Sequence, residues 1–377
     1  MRYHNPTRIV FGSGSIEKLG EMLKGFHSGN PFLITDKGIA EAGILKRSLS
    51  QTGEIPVFQD IEQNPRHETV NRAGRLLREQ RADLVIGLGG GSVLDAAKGI
   101  ALLAVNSGGI EDYEGKEKYR TPPLPLIAIP TTCGTGSEVT WVAVITHTDR
   151  RFKMSIKGTR MFPAVALVDP DLLRTLPKPL VASTGLDALT HAVEAYTVRE
   201  ATFLTDIFAR EALGYILRSI EPAYENIDGN TEAREGLMKG SLIAGLAFGN
   251  SDVGAVHCLA EAVGSLYDTP HGEANSIFLP YVMEFNLPVC AERYADIARI
   301  AGIKEDSDVT AARRIIEKIK GLSRALKIPA FKNLGIEEQA FPEIAQKSFI
   351  NNSNPSNPRE ALAQDYLEIL SRAYLES

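Results

Sequence analysis

The sequence predicts an α/β N-terminal half, built on a doubly wound and mostly parallel sheet, followed by an all-α helical C-terminal half. Up to about residue 175, short β-branched runs alternate with segments of helical periodicity, whereas only helical periodicity follows. The length of 377 residues also suits about two domains, at roughly 150 residues each. We therefore expect one domain over residues 1–175 and another over residues 176–377.

The first half contains strand-like runs that alternate with helical segments. The strands are expected at residues 8–11, 32–35, 55–58, 84–88, 126–129 and 165–168, and the helices at 15–24, 39–49, 67–80 and 93–103. Such alternation implies parallel strands joined by right-handed crossovers. Two further runs, 142–146 and 152–156, flank a polar turn and predict a hairpin on the edge of that sheet.

The second half begins after Leu176-Pro177-Lys178-Pro179, where the strand-like runs stop. Apolar residues at helical spacing then predict a series of helices. They are expected at residues 183–196, 203–220, 231–248, 253–266, 290–300, 310–325 and 359–373.

Composition and charge exclude several classes of protein. The net charge of -6 and a pI near 5.8 argue against a general nucleic-acid binder. We expect neither a signal peptide nor a membrane span, since the apolar runs are shorter than the roughly 18 residues that a span needs. Cys133, Cys258 and Cys290 are too scattered for a disulfide framework, which favours a cytoplasmic location.

A glycine-rich loop follows a predicted buried strand. Gly89, Gly90, Gly91 and Ser92 open the next helix, where backbone N–H groups and the helix dipole favour a phosphate group. A plain tight turn is the alternative, because the pattern is neither GxGxxG nor a P-loop. The position at a strand–helix junction favours pyrophosphate binding, and Asp95 on the same helix is a further cofactor-binding candidate.

A second loop, 130–140, also follows a predicted strand, at the edge where open α/β sheets bind ligands. Its hydroxyl-bearing residues are Thr131, Thr132, Thr135, Ser137 and Thr140. They predict contacts with a nucleotide, although a Ser/Thr-capped loop is an alternative. Cys133 lies in the same loop, but no His or Lys follows it at a spacing that indicates a nucleophile.

Asp36 ends the predicted strand at 32–35. A carboxylate at this place is a candidate for binding the 2′-hydroxyl of an adenosine ribose, and it would repel a 2′-phosphate. Asp36 therefore favours NAD over NADP as a cofactor, while a helix N-cap is the alternative role.

Four residues of the second half have the chemistry of metal ligands. Asp187 and His191 are four residues apart and share one face of a predicted helix. His257 lies in another helical stretch, and His271 lies in a loop just after Pro270. One carboxylate and three imidazoles suit Fe(II) or Zn(II). Each histidine could instead be an ordinary buried or capping residue, because no spacing proves that the segments meet.

Taken together, these motifs resemble the iron-containing (group III) alcohol dehydrogenases. The glycine loop, PTTCGTGSEVT, GLDALTHAVEAY, GAVHCLAEAVG and TPHGEAN occur in the order and approximate spacing of that family, over nearly the whole chain. The resemblance implies an N-terminal dinucleotide-binding domain, a C-terminal metal-binding and substrate domain, and an active site in the cleft between. It also implies that Asp187, His191, His257 and His271 hold the metal, and that Lys153 lies along the nicotinamide half of the cofactor.

One position departs from the family pattern. Many members have a further histidine one helical turn after the third ligand, whereas this chain has Glu261. We expect Glu261 to face the cleft, because the i,i+4 spacing places it near His257. It is a candidate catalytic residue with two open roles, an acid/base group or an inert, hydrogen-bonded wall of the pocket.

The resemblance implies an NAD(H)-linked, metal-dependent alcohol dehydrogenase or aldehyde reductase that uses its metal as a Lewis acid and transfers hydride at nicotinamide C4. The expected substrate is a short-chain primary alcohol, a diol or a hydroxy-substituted aldehyde. Trp141, Val142, Phe248 and Val253 either shape its pocket or are ordinary core residues. The resemblance also favours a homodimer or a larger homo-oligomer, without nucleic-acid or membrane partners.

Two alternatives stay open. One is another enzyme of the same superfamily, such as a glycerol or glycerol-phosphate dehydrogenase or a dehydroquinate-synthase-like lyase, which the PHGEAN and TTCGTGSE segments favour less. The other is a non-catalytic nucleotide-binding protein, which the complete set of ligand-type residues disfavours.

Overall fold

A computed structural model describes residues 3–376 of the chain. Its strands are β1 (Arg8–Phe11), β2 (Pro31–Ile34), β3 (Val57–Phe58), β4 (Leu84–Gly89), β5 (Gly115–Lys116), β6 (Leu126–Pro130), β7 (Val142–His147), β8 (Phe152–Lys157) and β9 (Val165–Val168). Its α-helices are α1 (Leu19–Gly25), α2 (Lys37–Glu41), α3 (Ile44–Thr52), α4 (His67–Glu79), α5 (Gly91–Leu103), α6 (Lys178–Thr197), α7 (Phe203–Asn226), α8 (Thr231–Ser251), α9 (Ala255–Tyr267), α10 (His271–Ile300), α11 (Asp308–Ala325), α12 (Phe341–Phe349) and α13 (Ala363–Leu375).

The main sheet is parallel, as the alternation of strands and helices predicts. Its strand order is β1-β9-β6-β4-β2-β3. The central strand β4 is buried along its whole length, which explains its uninterrupted apolar sequence. The register pairs Gly89 of β4 with Pro130 of β6. Both candidate nucleotide loops therefore leave the sheet at the same edge, side by side.

Each strand of this sheet sends alternate side chains to opposite faces. On β2, Phe32 and Ile34 join one apolar core, whereas Leu33 joins the other. On β4, Val85 belongs to the first core and Ile86 to the second. The sheet thus has a hydrophobic core on each face, as a doubly wound fold requires.

The hairpin formed by β7 and β8 lies outside the main sheet. Its predicted place on the edge of that sheet is wrong, because β8 pairs with both β7 and β5 in a separate three-stranded sheet. The inward side chains of the hairpin, Ala143 and Ile145 on one strand and Met154 and Ile156 on the other, join the core beneath α5. The sequence did not reveal this arrangement, since β5 has only two residues and gives no periodic pattern.

The helices from α6 onward follow the predicted periodicity except at α10 and α12. The helix predicted at 290–300 is only the last part of α10, which has 30 residues. The prediction that His271 lies in a loop is wrong, because His271 is the first residue of α10 and Pro270 is its N-cap. The full length of α10 was not predicted because Pro280 and Pro288 lie inside it, and proline normally ends a helix. The helix α12 was not predicted.

The chain divides into two compact units. The α/β unit comprises residues 4–132 and 136–176. The helical unit comprises the residues from 177 onward, together with Tyr3 and residues 133–135. The loop 130–140 therefore contributes residues to both units.

In the described part of the chain, no single helix is long and apolar enough to cross a membrane. The pair α8 and α9 passes that test only jointly, by length and composition, and the two helices are bent by 100° at their junction.

The close packing of α7 against α8 gives a test of the fold. A Cβ atom at Gly240 on α8 would lie 2.5 Å from Cγ1 of Ile216 on α7. We expect Gly240→Ala to lower the free energy of unfolding by about 1–3 kcal/mol, measured by urea denaturation, because the helices must separate to admit the methyl group. The matched control is Gly321→Ala on α11, where a Cβ meets nothing within 4 Å. That change should stabilise the protein by up to about 1 kcal/mol, and equal effects of the two variants would contradict the packing described.

Candidate metal centre and nucleotide loops

The helix α6 carries two of the four candidate metal ligands, Asp187 and His191. From Val181 to Thr197 it is buried at almost every position, with Asp187 only 1% exposed. Two glycines bring other segments close to Asp187. A Cβ at Gly134 would lie 3.0 Å from Asp187 Oδ2, and a Cβ at Gly272 would lie 2.6 Å from the Ser183 carbonyl oxygen. At these two positions the neighbouring backbone therefore packs so closely against α6 that a side chain would not fit.

Breaks between helices set the positions of the two other histidines. The chain leaves α8 through Asp252, whose φ of 133° is unusual for a residue with a side chain, and α9 then begins at Ala255. His257 consequently lies in the first turn of α9. His271 begins α10 after a short link that follows α9.

The structure brings the four predicted ligand residues together. His191 Nε2 lies 3.0 Å from His257 Nε2, and His271 Nε2 lies 3.9 Å from Asp187 Oδ1. The side-chain amide of Asn275 joins the group: its Nδ2 donates to Asp187 Oδ1 at 2.7 Å and lies 3.2 Å from His257 Nε2. Three imidazole nitrogens and one carboxylate oxygen therefore converge, which is a donor set that fits a divalent transition metal.

Glu194 supports this group from behind. Its Oε2 lies 2.5 Å from His257 Nδ1, and its Oε1 accepts a hydrogen bond from the Val256 backbone N–H at 2.8 Å. A carboxylate on Nδ1 leaves Nε2 of His257 facing the other donor atoms. Glu194 is 4% exposed, and its two oxygens hold the ring of His257 and the first turn of α9 in place.

The electrostatics of the buried histidines differ. Burial holds the pKa of His191 well below its usual range, and the neighbouring His257 lowers it further. The low pKa favours the neutral form of the ring, which is the form that binds a metal. Burial also lowers the pKa of His257, but the Glu194 carboxylate more than offsets this, so that the pKa of His257 is raised. The same carboxylate would stabilise the positive charge of a metal ion at Nε2.

Of the predicted pocket residues in the helical unit, Phe248 lies directly at the centre. Its ring stacks on His191, with the ring centroids 4.2 Å apart and an interplanar angle of 23°. Val253 is half-buried in the break between α8 and α9, two residues before the first residue of α9. Phe248 therefore provides an apolar wall on one side of the imidazole cluster.

Glu261 lies one turn after His257 on α9 and is half-buried. Its Oε2 accepts a hydrogen bond from Asn351 Nδ2 at 2.6 Å. Its charge also contributes to raising the pKa of His257. The Asn351 amide thus fixes the direction of the Glu261 carboxylate.

Cys133 has no features of a nucleophile. Its thiol is buried, and its Sγ lies 3.3 Å from the Thr184 hydroxyl. Burial raises the pKa of Cys133 to about 12, so the thiol stays protonated. The other cysteines of the described chain, Cys258 and Cys290, are likewise buried and unpaired.

In the α/β unit, the glycine loop joins β4 to α5 as predicted. Gly90 is the N-cap of α5, and no side chain caps the helix there, so its first N–H groups remain available for an anion. A Cβ at Gly89 would lie 2.6 Å from Val93, and one at Gly90 would lie 3.1 Å from Thr132. Gly89 therefore allows the close packing of β4 against the start of α5, and Gly90 allows the approach of the 130–140 loop.

The 130–140 loop is held by a buried cation. Lys98 on α5 donates to Ser137 Oγ at 2.7 Å, to Thr140 Oγ1 at 3.1 Å and to the Val142 carbonyl at 2.7 Å. Ser137 in turn donates to Asp95 Oδ1 at 2.6 Å. The hydroxyls of Ser137 and Thr140 thus face protein partners, as does Asp95.

The same network contains two groups with shifted pKa values. Burial lowers the pKa of Lys98 to about 8, although Asp95 and Glu138 act in the opposite direction. Burial raises the pKa of Glu138 to about 7. Among the remaining hydroxyl residues of the loop, Thr132 and Thr135 are half-buried, whereas Thr131 is buried and its Oγ1 has no hydrogen-bond partner.

The other predicted cofactor residues occupy the same unit. Asp36 is the N-cap of α2 and accepts a hydrogen bond from the Ile39 N–H at 2.9 Å. Lys153 on β8 is buried and donates to Asn64 Oδ1 at 2.8 Å. The half-buried Trp141 precedes β7, with the Lys116 ammonium 5.0 Å from its ring centroid. Val142, also half-buried, is the first residue of β7.

Three further buried residues of these sites were not predicted from the sequence: Glu194, Asn275 and Lys98. A signal existed for the first two, since Glu194 is three residues after His191 and Asn275 is four after His271, spacings that repeat a helix face. The signal for Lys98 is a single cation in the otherwise apolar run that follows Asp95. A cation there needs buried partners, which the sequence does not identify.

Two family models match most of the chain. The model described as iron-containing alcohol dehydrogenase matches residues 6–170. The model described as Fe-containing alcohol dehydrogenase family, C-terminal, matches residues 181–374.

Individual proteins are similar over nearly their whole length. A 1,3-propanediol dehydrogenase from Citrobacter freundii is 37% identical over 381 residues, covering 99% of this chain and 98% of that protein. An NAD-dependent methanol dehydrogenase from Bacillus methanolicus is 34% identical over 375 residues, covering 98% of each. The crystal structure of a 1,3-propanediol oxidoreductase is 36% identical and covers 99% of both chains, with a TM-score of 0.95. The chain therefore belongs to the iron-containing alcohol dehydrogenase family, whose proteins are oxidoreductases that act on CH–OH groups.

Proposed function

We propose that this protein is an NAD(H)-linked alcohol dehydrogenase or aldehyde reductase that acts on a short-chain primary alcohol, a diol or a hydroxy-substituted aldehyde. One observation carries the proposal: Asp187, His257 and His271 each place a donor atom within 4.8 Å of the others, and Nε2 of His191 lies 3.0 Å from Nε2 of His257. Three neutral imidazoles and one carboxylate would leave a divalent ion with net positive charge, which suits a developing alkoxide.

Asp187, His191, His257 and His271 are the proposed ligands, and Fe(II) is the proposed metal. Membership of an iron-containing family supports iron, whereas none of the comparisons supports zinc at this site. When bound, the metal supplies Lewis acidity and the nicotinamide supplies or accepts hydride.

The protein's own residues orient these groups. Glu194 holds the His257 ring with Nε2 directed inward. Asn275 donates to Asp187 Oδ1 and so restrains the rotation of that carboxylate. Phe248 covers one face of His191 and excludes water from that side of the centre. Each contact limits the motion of a donor atom, which preorganises the site.

The α/β unit is the proposed dinucleotide-binding domain. The uncapped first turn of α5 at Gly89, Gly90, Gly91 and Ser92 supports a pyrophosphate site. Asp36, at the end of β2, is the proposed partner of the adenosine ribose and supports NAD rather than NADP. Thr131, Thr132, Thr135 and Lys153 are the proposed contacts for the nicotinamide half, with Asp95, Ser137 and Thr140 acting through the Lys98 network.

We also propose that residues 1–175 and 176–377 are two domains and that the protein is a cytoplasmic homodimer or larger homo-oligomer. Buried, unpaired cysteines support a reducing compartment. Trp141, Val142, Phe248 and Val253 remain the proposed pocket residues.

We assign Glu261 the role of a hydrogen-bonded wall residue. Its contact with Asn351 supports this role over that of an acid/base group, because one carboxylate oxygen is already engaged with the protein. A carboxylate near the metal ligands would also favour substrates that carry a hydroxyl donor.

The proposed activity predicts a specific result for purified protein. Anaerobically prepared protein should contain one Fe(II) per chain and should oxidise NADH with short aldehydes, in a panel with neutral, hydroxyl and acidic tails. His271→Ala should lose both the iron and the activity, since it removes one of four donors. Full activity in protein that contains no metal would refute the proposal.

The Glu194 contact predicts an effect on metal affinity that is separate from activity. Glu194→Gln replaces the carboxylate on His257 Nδ1 by an amide, which weakens the basicity and the alignment of the ring. We expect the affinity for Fe(II), measured by competition with a chelator, to fall roughly 10- to 100-fold. The control is Glu235→Gln, which removes a surface carboxylate paired with Lys239 and should leave the affinity unchanged.

The wall role of Glu261 predicts that Glu261→Gln stays active. Glutamine can still accept the hydrogen bond from Asn351, so the pocket keeps its shape. The rate should fall by less than about tenfold and the pH–rate profile should be unchanged, whereas loss of an acid/base group costs roughly 10²–10⁴-fold. A loss of that size together with a shifted profile would establish the acid/base role instead.

A further inference from the structure

A second cluster of ligand-type side chains lies in the α/β unit. One ring nitrogen of His67, one of His147 and one carboxylate oxygen of Asp149 all lie within 4.8 Å of one another. The two imidazole rings are adjacent, with centroids 4.4 Å apart and an interplanar angle of 34°. These residues belong to no part of the proposed catalytic site, and they were not predicted from the sequence.

The backbone holds these three side chains in place. His67 is the first residue of α4, His147 is the last residue of β7, and Asp149 follows in the hairpin turn. The Thr146 N–H donates to the Pro65 carbonyl at 2.8 Å, and the Thr148 N–H lies 3.4 Å from His67 Nδ1. The start of α4 and the end of β7 are therefore joined independently of any ligand, so little order must be created on binding.

The surroundings favour a cation. Glu68 Oε2 lies 3.1 Å from His67 Nδ1, and the Glu111 carboxylate is close enough to both histidines to interact with them electrostatically. His147 Nδ1 is buried without a hydrogen-bond partner, which is a donor atom that the protein itself leaves unused. The neighbouring Arg150 is engaged with Glu114, at 2.5 Å, and with the ring of Phe152.

We propose that His67, His147 and Asp149 form a binding site for a divalent transition-metal ion. Two imidazoles and one carboxylate are ligands of borderline hardness, which suit Zn²⁺, Co²⁺ and Ni²⁺ and suit Ca²⁺ or Mg²⁺ poorly. Three protein ligands leave a fourth position for water. His67 is well buried whereas Asp149 is exposed, so that the ion would enter from the turn.

Such an ion would fasten the turn of the hairpin to α4. The strand β8 returns from this turn, and its Lys153 pairs in register with Thr146. Because Lys153 also donates to Asn64, three residues before His67, the ion would stiffen a segment that holds one of the proposed cofactor residues. The proposal concerns binding and does not depend on the catalytic role of that lysine.

The test uses the full-length protein loaded anaerobically with Fe(II) and then dialysed against micromolar Zn²⁺. We expect one Zn²⁺ per chain above the retained iron, with both metals measured by mass spectrometry. Counting iron in the same sample separates binding at the new site from displacement at the Asp187 centre. His147→Gln and Asp149→Asn should each lose the additional Zn²⁺.

The matched control is His27→Asn, which removes an exposed histidine and keeps a residue that tolerates its positive φ. It should bind Zn²⁺ as the original protein does. A second readout is tryptic cleavage after Arg150 and Arg151 in the turn, which Zn²⁺ should slow at least fivefold in the original protein and not in Asp149→Asn. Asp149 is exposed, so this variant should fold normally. The proposal is wrong if no additional Zn²⁺ binds, if His147→Gln binds it equally, or if Zn²⁺ does not protect the turn.

Discussion

The helical unit has to bury three imidazole rings and a carboxylate with their donor atoms facing one another. Such groups are costly to remove from water unless each one is compensated. Asp187 is compensated by Asn275, and His257 by Glu194. A divalent ion among the four donors would supply the remaining compensation, so that metal affinity and the stability of this region are expected to be coupled.

The turn between α8 and α9 and the polar segment near residues 351–357 help to position His257. The chain must turn sharply between α8 and α9 for His257 to reach α6, and the turn is secured by the polar segment near residues 351–357. Ser353 and Ser356 donate to the Asp252 carboxylate, at 3.1 and 2.8 Å. Asn357 Oδ1 accepts from the Ala255 N–H at the start of α9. The same segment supplies Asn351 to Glu261, so one loop positions both the start of α9 and the residue at which this chain departs from the family pattern.

In the α/β unit, a buried cation holds the second candidate nucleotide loop in place. Lys98 is 1% exposed and binds three oxygen atoms of the 137–142 segment, so that it holds this part of the loop against α5. Burial lowers the pKa of Lys98, whereas the nearby carboxylates of Asp95 and Glu138 act in the opposite direction. The hydroxyls of Ser137 and Thr140 therefore contact protein partners, and Thr132 and Thr135 are half-buried.

The sequence alone determined the parallel sheet, the change to helices near residue 175 and the identity of the four ligand-type residues. The spacing of apolar residues along the chain indicates which face of each strand or helix is buried. Asp187 and His191 share one face of their helix whatever the tertiary structure is. The sequence could not determine where α10 begins, because Pro280 and Pro288 interrupt its pattern, nor the separate sheet of β5, β7 and β8.

Only the tertiary structure decided that α6, α9 and α10 meet and that Glu194, Asn275 and Lys98 have specific buried partners. The physical reason is that periodicity records which face of an element is buried, whereas a site depends on which other element covers that face. His67 and His147 illustrate this: they are 80 residues apart in the sequence, and only the pairing of the 64–67 segment with the end of β7 brings them together.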